Sequence, residues 1–370
     1  MSFRKLISII LISISLYIFF IVGNTFVPIE ALGIPAIIGA DIEMITKDTV
    51  KYKFQSSVYN YSNNKLNKNF VLEGEGTTIG KTREDRQLQE SSRFLPGLEK
   101  VMVIGEAMAN YGITNLIDIL FATETVTDNT LCVVCKGESK DTVNFPVEGY
   151  SNSGDYIEGM VRGLSTYNFF SNNYKLMDIY VRLDSEGRNV VLPFIEIKDN
   201  KLKINGMAVF KKDKLVTVLD IYNTKLMNIL REKNVMGILS IQKSSKEYID
   251  FYAKSKRKVS CVKKEDEYIF NIDIKLSGDV ISNNIYYDLS NSPDKIEAFE
   301  KEMSDKIEKM CKEFISKMQN QYKTDMLELG RVAAAKYGRS SGVDWNEIVS
   351  KSKINVSVST KVKKFGRGDY

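Results

Sequence analysis

An uncharged, largely apolar run from Leu6 to Val22 constrains this chain more than any other feature. Arg4 and Lys5 precede it, and Gly23-Asn24-Thr25 closes it. A basic start followed by an apolar stretch directs a chain into or across a membrane. The run of 17 residues is long for the core of a signal peptide and just long enough to span a bilayer. Positive charge before the span holds the N-terminus in the cytoplasm and places the rest of the 370-residue chain on the far side. Whatever the folded part does, it is expected to do there, without cytosolic nucleotide cofactors.

The run reads as an uncleaved anchor. The alternative is cleavage after Gly23, for which Ile21 is a poor residue because a peptidase requires small side chains before the cut. Ile21-Val22-Gly23 also has the form of an ending that precedes an acylated cysteine. Asn24 stands at that position and the first cysteine is Cys132, so no lipid anchor is expected.

The chain contains no histidine. That excludes Ser–His–Asp and Cys–His catalysis and zinc sites built on histidine, and removes the usual proton shuttle near neutral pH. No metal, cofactor or catalytic group is expected. A hydrolase using paired carboxylates is the least favoured reading. Asp184, Glu186 and Glu196 illustrate the supply of acids, but no pair stands out and no G-x-S-x-G elbow occurs. A net charge of +5 is mild, and no basic stripe points to nucleic acid.

Cys132-Val133-Val134-Cys135 has the spacing of a redox pair or half a metal site. Its context reads as a buried strand, in which residues three apart point to opposite faces, so the two sulfurs do not meet. With Cys261 and Cys311 they are read as core residues.

Hydrophobic residues make up 43% of the chain, enough for real cores. Strands are expected over Gly33–Asp41, over Asp48–Ser57 with Val50, Tyr52 and Phe54 on one face, over Lys100–Glu106, and at the cysteines. Asn60–Asn69 reads as an exposed hairpin loop. Thr77–Phe94 reads as a helix anchored by Ile79, Leu88 and Phe94, and Ala107–Ala122 as a second helix. Leu202–Asp220 is a hairpin around a Lys-Lys-Asp turn, and Tyr222–Arg231 is helical. Tyr268–Leu276 and Ile354–Val362 alternate as strands. Between them Ser292 caps a long helix with Pro293 in its first turn. Ile296, Phe299, Met303, Ile307, Met310, Phe314 and Met318 form one stripe along it.

These segments, in this order, resemble the Ger(x)C family, the C subunits of GerA-type nutrient germinant receptors of endospore-forming bacteria. The residues that carry the resemblance are Leu32-Gly33-Ile34, Gly39-Ala40-Asp41, Gly76-Thr77-Thr78-Ile79 and Lys100-Val101-Met102-Val103-Ile104-Gly105-Glu106. Its most specific stretch runs from Gly206 through Ala208-Val209-Phe210-Lys211-Lys212-Asp213-Lys214 to Val216. The helix at Pro293–Gln321, Trp345 and the basic strand Ile354–Lys364 close the pattern. The family's acylated cysteine and the Trp-Asp pair after it are absent.

The resemblance implies a non-enzymatic subunit outside the spore inner membrane. It would assemble with two integral-membrane subunits, A and B, that sense small nutrients and trigger ion and dipicolinate release. It also implies three domains, each a sheet flanked by helices. The fold class expected is therefore α+β: a membrane segment at 1–23, a unit over 25–200, and a unit over 201–370 with a possible division near 250. A stand-alone extracytoplasmic receptor that itself holds the nutrient is the alternative. Candidate partner contacts are Lys211, Lys212 and Lys214 on the hairpin, Lys256, Arg257 and Lys258 in the basic cluster that begins at Lys254, and the Ser292–Gln321 helix.

Overall fold

The computed structural model describes residues 3–23, 31–46, 49–60, 67–265, 267–339 and 342–365. Asn24 and the centre of the Asn60–Asn69 loop lie outside the described residues.

Helix α1 (Phe3–Gly23) opens the chain. Phe3–Ile21 has a mean hydropathy of 2.0, is long and apolar enough to cross a membrane, and none of it is buried by the described residues. After it come β1 (Leu32–Gly33), β2 (Pro35–Met44), β3 (Val50–Asn60), β4 (Asn67–Gly76), α2 (Ile79–Gln87), β5 (Arg93–Phe94) and β6 (Val101–Gly105). Next are α3 (Glu106–Tyr111), α4 (Thr114–Phe121), β7 (Leu131–Cys135), α5 (Ser139–Val143), α6 (Ser153–Tyr167), α7 (Leu176–Asp184) and β8 (Val191–Lys198). The hairpin strands β9 (Lys201–Lys211) and β10 (Lys214–Asp220) follow.

Eight of these strands form one sheet in the order β10-β9-β8-β7-β6-β2-β3-β4. Its centre, β8-β7-β6-β2, is parallel, and antiparallel meanders extend both sides. Parallel strands need crossovers, which lay helices over both faces and bury the strands completely. Every residue of β6 (Val-Met-Val-Ile-Gly) and β7 (Leu-Cys-Val-Val-Cys) is accordingly buried. Where β3 pairs at the flank, Val50, Tyr52 and Phe54 face the core.

Helix α8 (Ile221–Arg231) leads out of this sheet. It is buried on nearly all sides, from Thr224 to Arg231, because it packs against β9 and β10 on one side and the second sheet on the other. That sheet has the order β11-β12-β13-β14, with β11 (Asn234–Gln242), β12 (Tyr248–Lys264), β13 (Glu267–Asn283) and β14 (Lys353–Phe365). Strands β13 and β14 run parallel, so a crossover must join them. It consists of α9 (Pro293–Lys317), a single π turn over Met318–Tyr322, α10 (Leu329–Tyr337) and α11 (Trp345–Lys351). Alternation in β12 sends Ile249, Phe251 and Ala253 inward, toward the Phe299, Met303, Ile307 and Phe314 stripe of α9.

Two features bear on the division of the chain. The hairpin β9–β10 pairs with β8 and completes the first sheet. Residue 250 lies inside the unbroken strand β12.

Several local expectations are corrected. The helix expected over Thr77–Phe94 is only Ile79–Gln87, with Leu88 86% exposed and Phe94 in β5. Ala107–Ala122 is two helices, because Gly112 (φ 134°) ends the first and leaves the right-handed region. Ser292 begins α9, but its side chain makes no capping hydrogen bond. The stripe on α9 also includes Cys311 and Ile315, which fill the gaps of the heptad-like series.

Candidate functional site at the seam of two sheets

The sequence motifs behind the family resemblance converge on a structural centre around Asp41, on β2. Its carboxylate accepts from the Ser139 backbone N–H at 2.8 Å, the Ser139 hydroxyl at 2.8 Å and the Lys140 N–H at 3.1 Å. Burial pushes the Asp41 carboxyl above its ordinary value, against these hydrogen bonds, which favour the charged form. Gly105 lies alongside on β6, and a Cβ there would sit 1.9 Å from Asp41 Oδ1. The Gly-x-Asp and Ile-Gly-Glu signatures thus hold β2, β6 and α5 together. At this centre they act as packing devices.

The polar cleft lies elsewhere, where the C-terminal crossover meets the first sheet. Gly187, in the loop after α7, adopts φ 71° and comes so close to Gly330 on α10 that a Cβ at 187 would stand 2.3 Å from the Gly330 carbonyl carbon. The Arg331 N–H donates to the Gly187 carbonyl at 3.0 Å, and Trp345 Nε1 donates to Glu186 at 2.8 Å. Arg182 from α7, Arg188 from the loop, Arg231 from the end of α8 and Arg331 from α10 then surround one carboxylate, Glu328. The separations are 3.3, 3.6, 2.7 and 3.4 Å. Burial alone would raise the Glu328 carboxyl, but the four guanidiniums outweigh it and hold it at about 2. Glu328 itself sits at φ 54°, an uncommon conformation for a residue with a Cβ, fixed here by these ion pairs.

Below it, fully buried Asp325 accepts from the Leu327 N–H at 3.0 Å and the Gly330 N–H at 2.7 Å. It thereby satisfies free donors at the start of α10. Arg257 enters from β12 and donates to the carbonyl oxygens of Arg231 at 2.7 Å and Leu327 at 2.8 Å. The resulting cleft, about 610 Å³, is walled by the five arginines and Glu328 and by Phe170, Asn172, Asn173 and Met236. Nearly every guanidinium in it came from a different element, so no spacing in the sequence announced it. The isolated Glu328-Leu-Gly-Arg331 stretch was the nearest available sign.

The candidate contact residues separate by strand alternation. Lys254, Lys256 and Lys258 are exposed on one face of β12, whereas Arg257 turns to the other face and into the seam. At the hairpin tip Lys212 and Lys214 are exposed, and Lys211 is half-buried with its Nζ 3.5 Å from the Lys323 carbonyl. Of the illustrative carboxylates, Asp184 ends α7, Glu186 takes the tryptophan hydrogen bond, and Glu196 is buried on β8 with Lys136 at 3.8 Å. All four cysteines are free and buried. Among the described residues no cluster of acids and cysteines could hold a metal ion.

The chain thus has an α+β architecture, with a helix of membrane-spanning length ahead of two packed sheets. Two family models match it in order: the spore germination protein N-terminal domain over residues 26–197 and the spore germination B3/GerAC-like C-terminal domain over 205–366. The chain belongs to this GerAC-like family of spore germination proteins. It is 22% identical over 293 residues to spore germination protein YndF of Bacillus subtilis (strain 168), covering 77% of this chain and 70% of YndF. It is 21% identical to spore germination protein B3 of the same organism, over 79% of each chain. In fold it is similar to the crystal structure of the GerBC protein, with a TM-score of 0.54 at 17% identity, over 88% of this chain and 97% of that one.

Proposed function

We propose that this chain is the extracytoplasmic C subunit of a nutrient germinant receptor, anchored by α1 and assembled with two integral-membrane subunits, A and B. The observation that carries the reading is the succession of the two germination-domain matches across residues 26–197 and 205–366. The exposed apolar helix at the N-terminus supports it, since tethering keeps the ectodomain at high effective concentration beside membrane partners. The subunit acts by contact, not by catalysis, on the outer face of the spore inner membrane. Coupling then requires contacts that differ between resting and nutrient-bound receptor states. We assign those contacts to Lys212 and Lys214 at the hairpin tip and to the exposed Lys254, Lys256 and Lys258 of β12.

The test is a tagged pull-down from spore inner membranes solubilised in mild detergent, with bound proteins identified by mass. Two polytopic membrane proteins recovered in similar amounts are the expected result. Recovery of this chain alone would refute obligate assembly. Replacing Lys254, Lys256 and Lys258 together by Glu is expected to reduce the recovery of partners while leaving the amount of folded chain unchanged.

A further inference from the structure

The seam cleft carries more positive charge than its architecture uses. Six cations line it (Arg182, Arg188, Arg231, Lys233, Arg257 and Arg331) against three carboxylates in its walls (Asp178, Glu232 and Glu328) and a fourth, Asp325, buried beneath them. Glu328 is shared among four guanidiniums, and one of its partners, Arg188 Nε, stands at 3.6 Å, too far for a hydrogen bond. Asp178 is engaged by the Lys175 backbone N–H at the start of α7. Arg257 has no ion pair among the described residues; both its terminal nitrogens donate to carbonyl oxygens, and its buried Nε–H has no acceptor. The Arg231 side chain is 1% exposed and pairs with Glu328 at 2.7 Å and, through Nε, with Glu232 at 3.4 Å, although that Nε–H makes no hydrogen bond.

Buried cations that outnumber the carboxylates around them are costly, and a stitch between two sheets needs no such excess. Interiors that use arginine only for cohesion pair it. Here the surplus guanidiniums converge on an open cleft of the size that takes small ligands. Guanidinium forks match planar carboxylates and phosphates in geometry as well as charge.

We propose that this cleft binds a small oxyanion carrying two or more negative charges, a dicarboxylate or a phosphate-bearing molecule. The site takes Arg182 and Arg188 from the first unit, Arg257 from β12 and Arg331 from α10, so an occupant bridges the two sheets through groups that now repel one another. Binding stabilises the seam and is weakened by salt, as expected for partly screened charges.

The experiment uses the full chain in micelles of an uncharged detergent, titrated calorimetrically with inorganic phosphate and, separately, with succinate. Saturable binding of at least one probe is expected, weakening as sodium chloride rises. Arg188→Gln and Arg331→Gln, both at the rim, are each expected to lower affinity about tenfold or more. Asn173→Asp adds a negative charge at the mouth without removing any guanidinium and is expected to weaken binding as well. Lys254→Gln, on the outward face of β12, is expected to leave it unchanged. Circular dichroism confirms that each variant is folded. No saturable heat with either probe would overturn the proposal, as would wild-type affinity in all three cleft variants or equal weakening by Lys254→Gln. A response seen only in micelles doped with phosphatidylglycerol would overturn the assignment to a soluble anion. Recovery of membrane partners does not enter this measurement, so the cleft and the receptor reading stand or fall separately.

Discussion

Glu328 shows how much one side chain can organise. Its carboxyl is held at about 2, against an ordinary value of 4.5, so its ion pairs contribute stability above pH 4.5 and lose it as pH falls toward 2. A depression of that size corresponds to about 3 kcal/mol of stability at neutral pH. Glu328→Gln is therefore expected to destabilise the protein at pH 7, and by progressively less as the pH falls through this window. Denaturant titrations of both forms from pH 7 to pH 2 check it. Asp41 and Asp325 are shifted the other way by burial and favour the folded state on protonation, so the difference between the two proteins, not the wild-type curve, isolates Glu328. Parallel curves would show that the arginines do not act through this carboxylate.

Strand β7 illustrates the element scale. Its C-x-x-C spacing invites a redox or metal reading, and the pleat answers it: Cys132 and Cys135 point to opposite faces, and both faces are covered by helices. Burial raises both thiols, that of Cys135 to about 12. Burial likewise pushes Cys311 on α9 to about 12. Maleimide labelling of the native chain is expected to be slower than in denaturant by on the order of a hundredfold or more. Mass measurement should find no disulfide. Rapid modification of either β7 cysteine in the folded chain would show that the strand opens or that its helices are not seated.

For the whole molecule, the decisive fact is that the first sheet is finished by residues that follow position 200. A chain ended there would leave β8 as a bare edge with apolar residues on both faces, a template for association with other copies. Such a truncated chain, without α1, is expected to aggregate on size-exclusion chromatography. A chain carried on through Phe365, also without α1, is expected to run as a discrete species. A soluble, folded product ending at residue 200 would mean that the hairpin is an accessory and not part of that sheet's core. The receptor proposal belongs to this scale too. It asks the ectodomain to transmit a state, and α8 and the seam are the elements through which the two sheets are coupled.

Much of this was legible from residue order. The apolar N-terminal helix follows from an unbroken run of uncharged residues, and the buried strands β6 and β7, the hairpin and the stripe on α9 follow from local patterning, because a strand or helix face is repeated every two or 3.6 residues. Leu88 misled for the same reason: periodicity reports the spacing of apolar residues, not whether a neighbour is there to cover them. Ordered motifs such as Gly39-Ala40-Asp41 and Ile104-Gly105-Glu106 pointed to the family without revealing that they share one packing centre. The seam was not legible. Arg182, Arg188, Arg231, Arg257 and Arg331 lie on five different segments, and each alone reads as an ordinary surface cation. Arg257 was grouped with its lysine neighbours, although alternation along β12 turns it to the opposite face. Sequence determined the apolar N-terminal helix, the elements and their buried faces, which depend on neighbours a few residues apart. Only tertiary structure decided that the hairpin joins the first sheet and that four arginines meet around Glu328 with Arg257 beside them, because charge balance is settled between groups distant in the chain and close in space.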